Sequence, residues 1–518
     1  MDDASRRLVS HKVKTAREVA ALIGPPPRDK KVIMCHGTFD IVHPGHVRHL
    51  LYAKSKGDIL IASLTADAHI TKANFRPFVP QELRAFNLAA LEVVDYVVID
   101  RNATPIANLG IIRPDFFAKG YEYTKAGLPP RTAEEKAAVE AYGGEIIFTP
   151  GDIVFSSSHI IETDPPELAT EKLMVLLGAE ALATDDLRIA LDRLRGIRVH
   201  VVGDTIVDSY TRCSMIGSMA KTPTMSIRFQ EQEAFVGGAG IVARHLIAAG
   251  ADVTFSTVLG DDALGEFALN NLKEAGVRCV PVIDATRPTT NKNAIVVGVY
   301  NLLKIDTVDN RSISDHMLDT LCVQLRETAA DVVVFSDFRH GIFNRDTIPT
   351  LTDAIPPSAF RVADSQVASR WGNILDFKGF DLISANEREA RFALGDQDSV
   401  VRPLGLELYR RAECDTLILK LGERGLMTFR AIPEMDEDVR SFFALDSFAN
   451  HVVDAVGSGD ALLSYAAPAL FVTRNAVIAS VLGSLAAAVE CEHQGNVPVR
   501  PADVVRRLQQ YERLAHYA

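Results

Sequence analysis

The segment HGTFDIVHPGHVRHL, residues 36–50, decides the fold of the first part of the chain. The apolar run before it, residues 31–35, has the pattern of a β-strand, and residues 45–56 have that of a helix. His43 and His46 therefore stand where a strand is followed by a helix. The unpaired amides at a helix N-terminus favour phosphate groups, and imidazoles there can donate hydrogen bonds to phosphoryl oxygens. The segment predicts a phosphate-binding loop, although two loop histidines also occur as plain surface residues.

Strand and helix patterns alternate on both sides of this segment. We expect strands at residues 31–35, 58–63, 96–99, 116–118 and 145–148, and helices at residues 12–23, 45–56, 83–93 and 133–142. Alternating strands and helices with short connections are typical of a parallel, doubly wound sheet. The first part of the chain is therefore predicted to be a Rossmann-like α/β domain.

The pattern G-T-F-D-x-x-H-x-G-H resembles the signature of the cytidylyltransferase-like nucleotidyltransferase superfamily, and the likeness extends through YGGEIIFTPGDIVFSSSHII at residues 142–161. It implies that a phosphate oxygen of an acceptor attacks the α-phosphorus of a nucleoside triphosphate and releases pyrophosphate, with Mg²⁺ neutralising charge. It also implies catalytic roles for His43, His46 and Lys72. The nucleotide- and phosphate-binding residues that it implies are Gly37, Thr38, Phe39, Arg84, Lys119, Ser156, Ser157 and Ser158.

A second glycine-rich segment, DAVGSGDALL, stands at residues 454–463. Gly457 and Gly459 permit a tight turn whose amides converge on a phosphate at the start of the next helix. Asp460 is placed to take a proton from a substrate hydroxyl. The alternative is an ordinary glycine-rich loop with an Asp at a helix N-terminus. Apolar strand runs begin at residue 199, and shorter alternating segments at residues 210–235 predict a small β lid.

This segment resembles the D-x-x-G-A-G-D motif of the ribokinase-like carbohydrate kinases, with Ser in place of Ala, and the likeness includes GDTIVDSY at residues 203–210 and ANEREA at residues 385–390. It implies an α/β kinase domain that uses ATP, with Asp460 as the general base. The implied nucleotide- and phosphate-binding residues are Gly457, Ser458, Gly459, Asn386, Glu389, Lys420, Gly422 and Gly425, of which the last three belong to the strand and turn beside the adenine. The implied sugar-binding residues are Asp204, Asp208, Gly237 and Gly238. The implied Mg²⁺ ligands are Asp454 and Glu389. Asn386 and Glu389 also have the spacing of a helix capping box, and the two roles are compatible.

Within these families the chain is similar to the bifunctional heptose 7-phosphate kinase/heptose 1-phosphate adenylyltransferases, on VVGDTIVDSY at residues 201–210 and RPTTNKN at residues 287–293. The resemblance implies synthesis of an ADP-heptose-like nucleotide sugar and a homodimer formed through the lid. The order of the two halves is inverted, because the heptose enzymes have the kinase first. Three positions depart from the family pattern: Ile241 replaces a sugar-binding Asn, Arg339-His340-Gly341 replaces G-K-G, and Asp364-Ser365-Gln366 replaces Asp-Pro-Lys.

These departures leave two alternatives open. The chain could combine a CTP-dependent transferase with a kinase for a different polyol or sugar, because the loop histidines act on phosphates and do not select the base. Alternatively, the kinase-like half could serve only as a binding or dimerisation module, since an unpaired sugar hydroxyl opposite Ile241 costs about 1–3 kcal/mol. Retention of Asp460 counts against this second alternative, because a module without catalysis has no need of a general base.

Length and composition agree with a chain of two enzymatic parts. At 518 residues the chain is too long to fold around a single hydrophobic core. We expect a leading helix with a Pro-rich break at 1–29, a nucleotidyltransferase domain at 30–163, a helical linker at 164–194 and a kinase domain at 195–518.

The net charge of −12 disfavours nucleic acid as a partner. The six cysteines include no C-x-x-C pair, which disfavours a disulfide framework or a zinc site. No segment has the pattern of a signal peptide or a membrane span, so we expect a cytoplasmic protein without a membrane partner.

Overall fold

The structure is a computed structural model that describes residues 9–70, 77–120, 130–149, 169–219, 224–366, 373–431, 441–493 and 495–517. The chain divides into two compact units. The first consists chiefly of Met1–Ala179, and the second consists of Glu180–Pro433 together with Ser441–Arg513. In the described part of the chain no helix is both long and apolar enough to cross a membrane.

The first unit is built on a parallel sheet in which five strands are described, in the order β3-β2-β1-β4-β5. Its strands are β1 (Val32–Gly37), β2 (Ile59–Thr65), β3 (Tyr96–Asp100), β4 (Phe116–Gly120) and β5 (Glu145–Thr149). Its helices are α1 (Ala16–Ile23), α2 (Pro44–Lys54), α3 (Gln81–Ala89), α4 (Ile106–Ile112), α5 (Pro130–Glu140) and α6 (Ala169–Ala179).

Strand β1 shows why helices cover both faces of this sheet. Successive side chains of a strand point to opposite faces, and both sets are apolar here. Ile33 and Cys35 pack in the core with residues of α2 and α3, whereas Val32 and Met34 pack with residues of α1 and α4. The strand order reverses between β1 and β4, and ligands of such sheets bind beyond the carboxyl ends of the strands at that point.

Two details of the first unit differ from the sequence prediction. The helix expected at 12–23 begins at Ala16, because Thr15 and Glu18 form a capping box there and residues 12–14 instead pair with Val97 at the sheet edge. Helix α4 was not predicted. It has only seven residues, one of them Gly110, and follows Pro105, so it is too short to show a helical periodicity.

The second unit contains a larger sheet of nine described strands in the order β11-β9-β6-β15-β16-β17-β18-β19-β20. Its strands are β6 (Arg198–Gly203), β9 (Asp252–Ser256), β11 (Arg278–Cys279), β15 (Val332–Asp337), β16 (Phe360–Ser365), β17 (Leu382–Asn386), β18 (Thr416–Lys420), β19 (Leu426–Arg430) and β20 (Phe442–Leu445). Strands β11 to β18 in this order are parallel, and β19 and β20 are antiparallel. Two short strands, β10 (Val258–Leu259) and β12 (Val282–Ile283), pair separately.

Helices cover the faces of this sheet or follow its strands. They are α7 (Thr184–Asp192), α8 (Ala239–Ala248), α9 (Ala263–Glu274), α10 (Asp315–Glu327), α11 (Thr347–Asp353), α12 (Glu387–Leu394), α13 (Val401–Ala412), α14 (Ser458–Thr473), α15 (Ala476–Glu490) and α16 (Pro501–Tyr517). The core on one side is rich in phenylalanine, with Phe335, Phe377 and Phe380 all within ring contact of one another.

The lid is a separate sheet of four described strands, larger than the segment 210–235 that was predicted to form it. Its order is β14-β13-β7-β8, where β7 is Thr205–Met219, β8 is Thr224–Gly238, β13 is Asn291–Val297 and β14 is Tyr300–Thr307. Strand β7 leaves the carboxyl end of β6 after a single intervening residue, Asp204. The lid therefore starts at the edge of the large sheet where parallel α/β folds bind their ligands.

Candidate active sites

The histidine loop lies between β1 and α2, as the sequence predicted. Gly37 ends β1, Thr38 follows it, and Phe39 adopts a positive φ of 49°. The carboxylate of Asp40 accepts the backbone N–H groups of Phe78 and Val79, at 2.9 and 2.7 Å. These bonds fix the loop to the segment that precedes α3.

The two histidine rings stack on each other at the start of α2, with centroids 3.9 Å apart. His43 is the N-cap, and its Nδ1 accepts the Gly45 N–H at 3.1 Å, so neutral His43 carries its hydrogen on Nε2. A Cβ at Gly45 would lie 2.9 Å from His43 Cε1, so only glycine allows this cap. His46 Nδ1 lies 3.1 Å from the Ile41 carbonyl, to which it donates. In the neutral state His43 therefore carries its N–H on Nε2 and His46 carries its N–H on Nδ1.

Arg84 and Lys119, both predicted to bind nucleotide, make ion pairs inside the protein. The side chain of Arg84 is fully buried, and it donates to the carbonyls of Thr38 and Thr65 and to the carboxylate of Asp67. Lys119 Nζ lies 2.6 Å from Glu135 Oε2, and both side chains are about nine-tenths buried. Arg84 therefore ties the loop residue Thr38 to Thr65 at the end of β2.

His36 is a residue of this unit that the sequence did not single out. Its Nδ1 lies 3.0 Å from Ser63 Oγ, and its Nε2 lies 3.2 Å from Thr65 Oγ1. Burial, assisted by the charge of Lys119, lowers the pKa of His36 to about 3, so the ring stays neutral. Lys72 and Ser156, Ser157 and Ser158 lie outside the described residues.

In the second unit, the predicted residues of the phosphate turn meet at the start of α14. Gly457 caps the helix at a φ of +88°, and Ser458, Gly459 and Asp460 form its first turn. A Cβ at Gly457 would lie 2.9 Å from Asn496 Oδ1 and 3.0 Å from Glu490 Oε1. Glycine suits this position for two reasons: it adopts the positive φ without strain, and it has no Cβ to crowd Asn496 and Glu490.

Asp460 is buried, and its Oδ1 accepts a hydrogen bond of 3.0 Å from Gln366 Nε2. Burial raises the pKa of Asp460 well above its usual range, and the nearby carboxylate of Asp364 raises it further. A carboxyl group with a raised pKa is a stronger base once it is ionised.

Lys420, Asp364 and Glu389 form an ion cluster beside this turn. Lys420 Nζ lies 2.7 Å from Asp364 Oδ1. Burial alone would lower the pKa of Lys420, but the charges of Asp364 and Glu389 outweigh it and raise that pKa, so the ammonium persists. Burial raises the pKa of Glu389 to about 7 against the opposing charge of Lys420.

Asn386 and Glu389 form the capping box of α12. The Asn386 N–H donates to Glu389 Oε2 at 2.7 Å, and the Glu389 N–H donates to Asn386 Oδ1 at 2.9 Å. Gly422 and Gly425 lie in the turn between β18 and β19, both at positive φ. A Cβ at Gly425 would lie 2.0 Å from the Leu445 carbonyl.

The predicted sugar-binding residues lie at the base of the lid. A Cβ at Gly237 would lie 2.1 Å from Asp208 Oδ2, which accepts a bond of 3.1 Å from Asn496 Nδ2. Asp204 Oδ2 accepts the backbone N–H groups of Phe338 and His340, at 3.0 and 3.2 Å. Gly238, at a φ of +59°, is the N-cap of α8. Asn496 links Asp208 to the phosphate turn, and its place in the loop before α16 gave no sequence signal.

The structure gives a physical account of two of the three departures from the family pattern. Ile241 is fully buried in α8, where its aliphatic side chain fills the core. Arg339 is also buried, and its guanidinium pairs with Asp337 at 2.7 Å and with Asp376 at 2.8 Å. Arg339 adopts a φ of +57°, a conformation that glycine adopts without strain.

Among the described residues, no group of three or more His, Cys, Asp or Glu side chains is arranged to hold a metal ion. Mg²⁺ needs only one or two carboxylates when phosphates and waters complete its shell. Asp364 Oδ2 is buried without a hydrogen-bond partner, and it lies in the same ion cluster as Glu389. These two carboxylates fit a metal that arrives with the nucleotide. Both carboxylate oxygens of Asp454 instead accept backbone N–H groups, from Val456 and Gly495.

The two units therefore define an α/β protein in which a glycine-containing loop enters a helix in each unit, and such helix N-termini favour phosphate groups. Residues 197–502, more than half of the chain, match the pfkB family carbohydrate kinases, and the chain belongs to that family. Residues 34–163 match the family described as cytidylyltransferase-like. The predicted fold class, a Rossmann-like unit followed by a ribokinase-like unit with a β lid, is confirmed.

Curated relatives with long matches include proteins named bifunctional protein HldE. The chain is 26% identical over 325 residues to the protein of Pelobacter propionicus and 29% identical over 326 residues to that of Rhodopseudomonas palustris. Each alignment covers 61% of this chain and 64% of the relative, so the chain spans less than two thirds of their length. The HldE of Syntrophotalea carbinolica is 40% identical over 121 residues, which is 23% of this chain and 24% of that protein.

Among solved structures, the chain is similar to phosphofructokinase-2 from Escherichia coli in complex with potassium. The TM-score is 0.51 at 16% identity, and the match covers 61% of this chain and 99% of that chain. This likeness shows the fold of the second unit.

Proposed function

We propose that the chain is a bifunctional transferase, with a carbohydrate kinase in the second unit and a nucleotidyltransferase in the first. The observation that carries the kinase proposal is the position of Asp460. It stands in the first turn of α14, directly after the glycine turn, with Asp208 among the charges that act on it. A general base next to a phosphate-binding turn is the arrangement that phosphoryl transfer to a hydroxyl requires.

The kinase reaction would proceed by direct transfer from MgATP. The acceptor hydroxyl, oriented by Asp208, gives its proton to Asp460 as its oxygen attacks the γ-phosphorus. The bond between the γ-phosphorus and the bridging oxygen breaks, and ADP leaves with the electron pair. The amides at the start of α14 stabilise the charge on the transferred group.

The nucleotidyl reaction in the first unit follows the same logic at the α-phosphorus. A phosphate oxygen of the acceptor attacks the α-phosphorus of the nucleoside triphosphate, and pyrophosphate leaves with the electrons of the broken bond. His43, with its hydrogen on Nε2, donates to a phosphoryl oxygen as charge develops. Arg84 keeps the Thr38 loop in place rather than serving as a primary phosphate ligand.

For the substrates we propose a sugar phosphate of the heptose type and ATP, so that the product is an ADP-heptose-like nucleotide sugar. The relatives named HldE and the matches to both families support this choice. The transferase-like segment precedes the kinase segment in this chain, and we propose that this order is inverted relative to the heptose enzymes. The alternative, a CTP-dependent transferase with a kinase for another polyol or sugar, has support only in the family description of residues 34–163.

Asp460→Asn in the full-length protein tests the kinase proposal. Sugars and sugar phosphates, including mannose- and heptose-type 7-phosphates, would be incubated with MgATP, and ADP formation would be measured. We expect one or more of them to be phosphorylated by the native protein and the rate to fall about 10²–10⁴-fold in the variant, the contribution typical of a general base. A native rate that survives the substitution would exclude Asp460 as the base. No turnover with any acceptor would favour the alternative in which the second unit is only a binding module.

We also propose a cytoplasmic homodimer that forms through the lid. The lid strands carry large apolar side chains that are more than half exposed, and four of these are Ile216, Phe229, Tyr300 and Leu303. Exposed apolar patches of this kind mark interaction surfaces.

A further inference from the structure

Lys420 does not extend along the turn between β18 and β19, where the resemblance placed its role. It is the last residue of β18, and its Nζ lies 2.7 Å from the carboxylate of Asp364, the penultimate residue of β16, across the intervening strand β17. The charges of Glu389 and Asp460 act on the same ammonium. Lys420 is thus a largely buried cation, with only 14% of its side chain exposed, that pairs directly with Asp364 and also feels the charges of Glu389 and Asp460.

This cation lies against the phosphate turn. A Cβ at Gly459 would be 3.4 Å from Lys420 Nζ and 3.8 Å from its Cδ. Gly459 is the second residue of α14, and the first amides of a helix have no partner within the helix. The ammonium and these amides therefore favour an anion at the same place.

The site holds several carboxyl groups, and these would repel the phosphate groups of ATP unless a cation stood between them. Asp364, Glu389, Asp208 and Asp460 bring carboxyl groups to the region that the triphosphate would enter. Carboxylates repel phosphate oxygens strongly where water is excluded. An ammonium held between these carboxyl groups and the turn offsets that repulsion at the point closest to Gly459.

We propose that Lys420 is a catalytic residue whose ammonium contacts the γ-phosphoryl group of ATP, and that Asp364 is a positioning residue that holds this ammonium in place. The inference rests on the kinase function proposed above. In the reaction, the γ-phosphorus exchanges its bond to the bridging oxygen for a bond to the acceptor oxygen, and the proton of the acceptor goes to Asp460. Lys420 gives up no proton, and it neutralises charge on the transferred group throughout.

The test compares the binding of two nucleotides by the full-length protein, because this readout does not depend on finding the acceptor. The affinities of MgADP and of the magnesium complex of a non-hydrolysable ATP analogue would be measured by calorimetry for the native protein and for Lys420→Met. We expect the analogue to bind about tenfold or more weakly in the variant, while the affinity for MgADP changes less than about twofold. With an acceptor, we expect kcat to fall about 10²–10³-fold at an unchanged KM for the acceptor, as for the loss of one charge-stabilising donor.

Three further variants make the result interpretable. Lys420→Met leaves Asp364 without its partner, so the double variant Lys420→Met with Asp364→Asn removes the cation without a lone buried carboxylate, and it should show the same selective loss. Asp364→Asn alone should give an intermediate loss of affinity for the analogue. Lys378→Met is the matched control, because Lys378 is an exposed lysine that pairs with Glu413, and it should leave both affinities unchanged.

The outcomes separate the inference from the function on which it rests. Equal weakening of both nucleotides, or no weakening in folded Lys420→Met and the double variant, would refute contact with the γ-phosphoryl group and leave the kinase proposal standing. Absence of ADP formation by the folded native protein with every acceptor tested would refute the kinase proposal and the role of Lys420 with it.

Discussion

Gly457 meets two structural requirements at one position. Its φ of +88° is a conformation that other residues adopt only at a cost, and a Cβ there would lie 2.9 Å from Asn496 Oδ1 and 3.0 Å from Glu490 Oε1, so both buried side chains would have to shift. We expect Gly457→Ala to lower the free energy of unfolding by more than the ~1–2 kcal/mol typical of a left-handed backbone alone. Because the turn shifts, we also expect kinase turnover to fall about 10²-fold, and denaturant unfolding with an ADP-release assay would measure both effects.

Gly379→Ala is the matched control for this prediction. Gly379 has a φ of +68°, but a Cβ there would meet no atom within 4 Å. It should therefore lose only the backbone contribution to stability and keep its kinase turnover. Equal losses of stability and activity in the two variants would contradict the claim that the neighbours of Gly457 fix the turn.

Individual residues differ in how far the sequence predicts their position. Gly457, Asp460 and His43 were predictable because each stands where a glycine-containing loop enters a helix, and such positions are defined by local sequence. The partners of Arg84 and Arg339 were not, because Thr38 and Asp376 are distant in sequence from them. The sequence predicted that Arg84 binds nucleotide and that Arg339 alters a ligand site. In the structure the N–H groups of both side chains donate hydrogen bonds to other residues of the protein.

At the scale of elements, periodicity predicted strands and longer helices well and short elements poorly. The alternation of apolar runs placed β1, β2, β3, β4 and β5 within a few residues of their observed bounds. Helix α4 was missed because seven residues hold too few turns for a periodic pattern. The predicted lid was too small because β13 and β14 come from a segment about fifty residues after the end of β8. They join the lid only through the pairing of β13 with β7 and of β14 with β13, which local sequence does not show.

The lid sheet has two faces of different character, which leads to a prediction about assembly. Register places Phe229 opposite Cys213 and Leu303 opposite Ile295, so these side chains share one face, whereas Asp208 and Lys292 belong to the other. For the homodimer proposed above, we expect the double variant Phe229→Asp with Leu303→Asp to be monomeric, because each charge costs several kcal/mol to bury in an apolar interface. Light scattering coupled to size-exclusion chromatography measures the mass directly.

A conservative pair of substitutions controls for damage to the lid itself. Phe229→Leu with Leu303→Met keeps the face apolar and should keep the dimer. If both double variants, or neither, change the mass, the apolar face of the lid is not the contact between subunits.

At the level of the whole molecule, the described residues of each candidate site lie within one compact unit. The described residues of the histidine loop belong to the first unit, and the phosphate turn, the ion cluster and the lid base belong to the second. In the chemistry proposed above, the first loop acts at the α-phosphorus and the second at the γ-phosphorus, so neither reaction calls for a residue of the other loop.

The two activities should therefore be lost independently. We expect His46→Ala to reduce pyrophosphate release about 10²–10³-fold, the effect of losing one group that stabilises transition-state charge, with ADP formation by the kinase unchanged. Asp460→Asn should show the reverse pattern, and His11→Ala, at an exposed position that belongs to neither loop, should change neither rate. Pyrophosphate and ADP measured in parallel on the same preparations provide the readout. If either active-site substitution abolished both rates in a folded protein, the two sites would be coupled, and the assignment of each chemistry to one unit would be wrong.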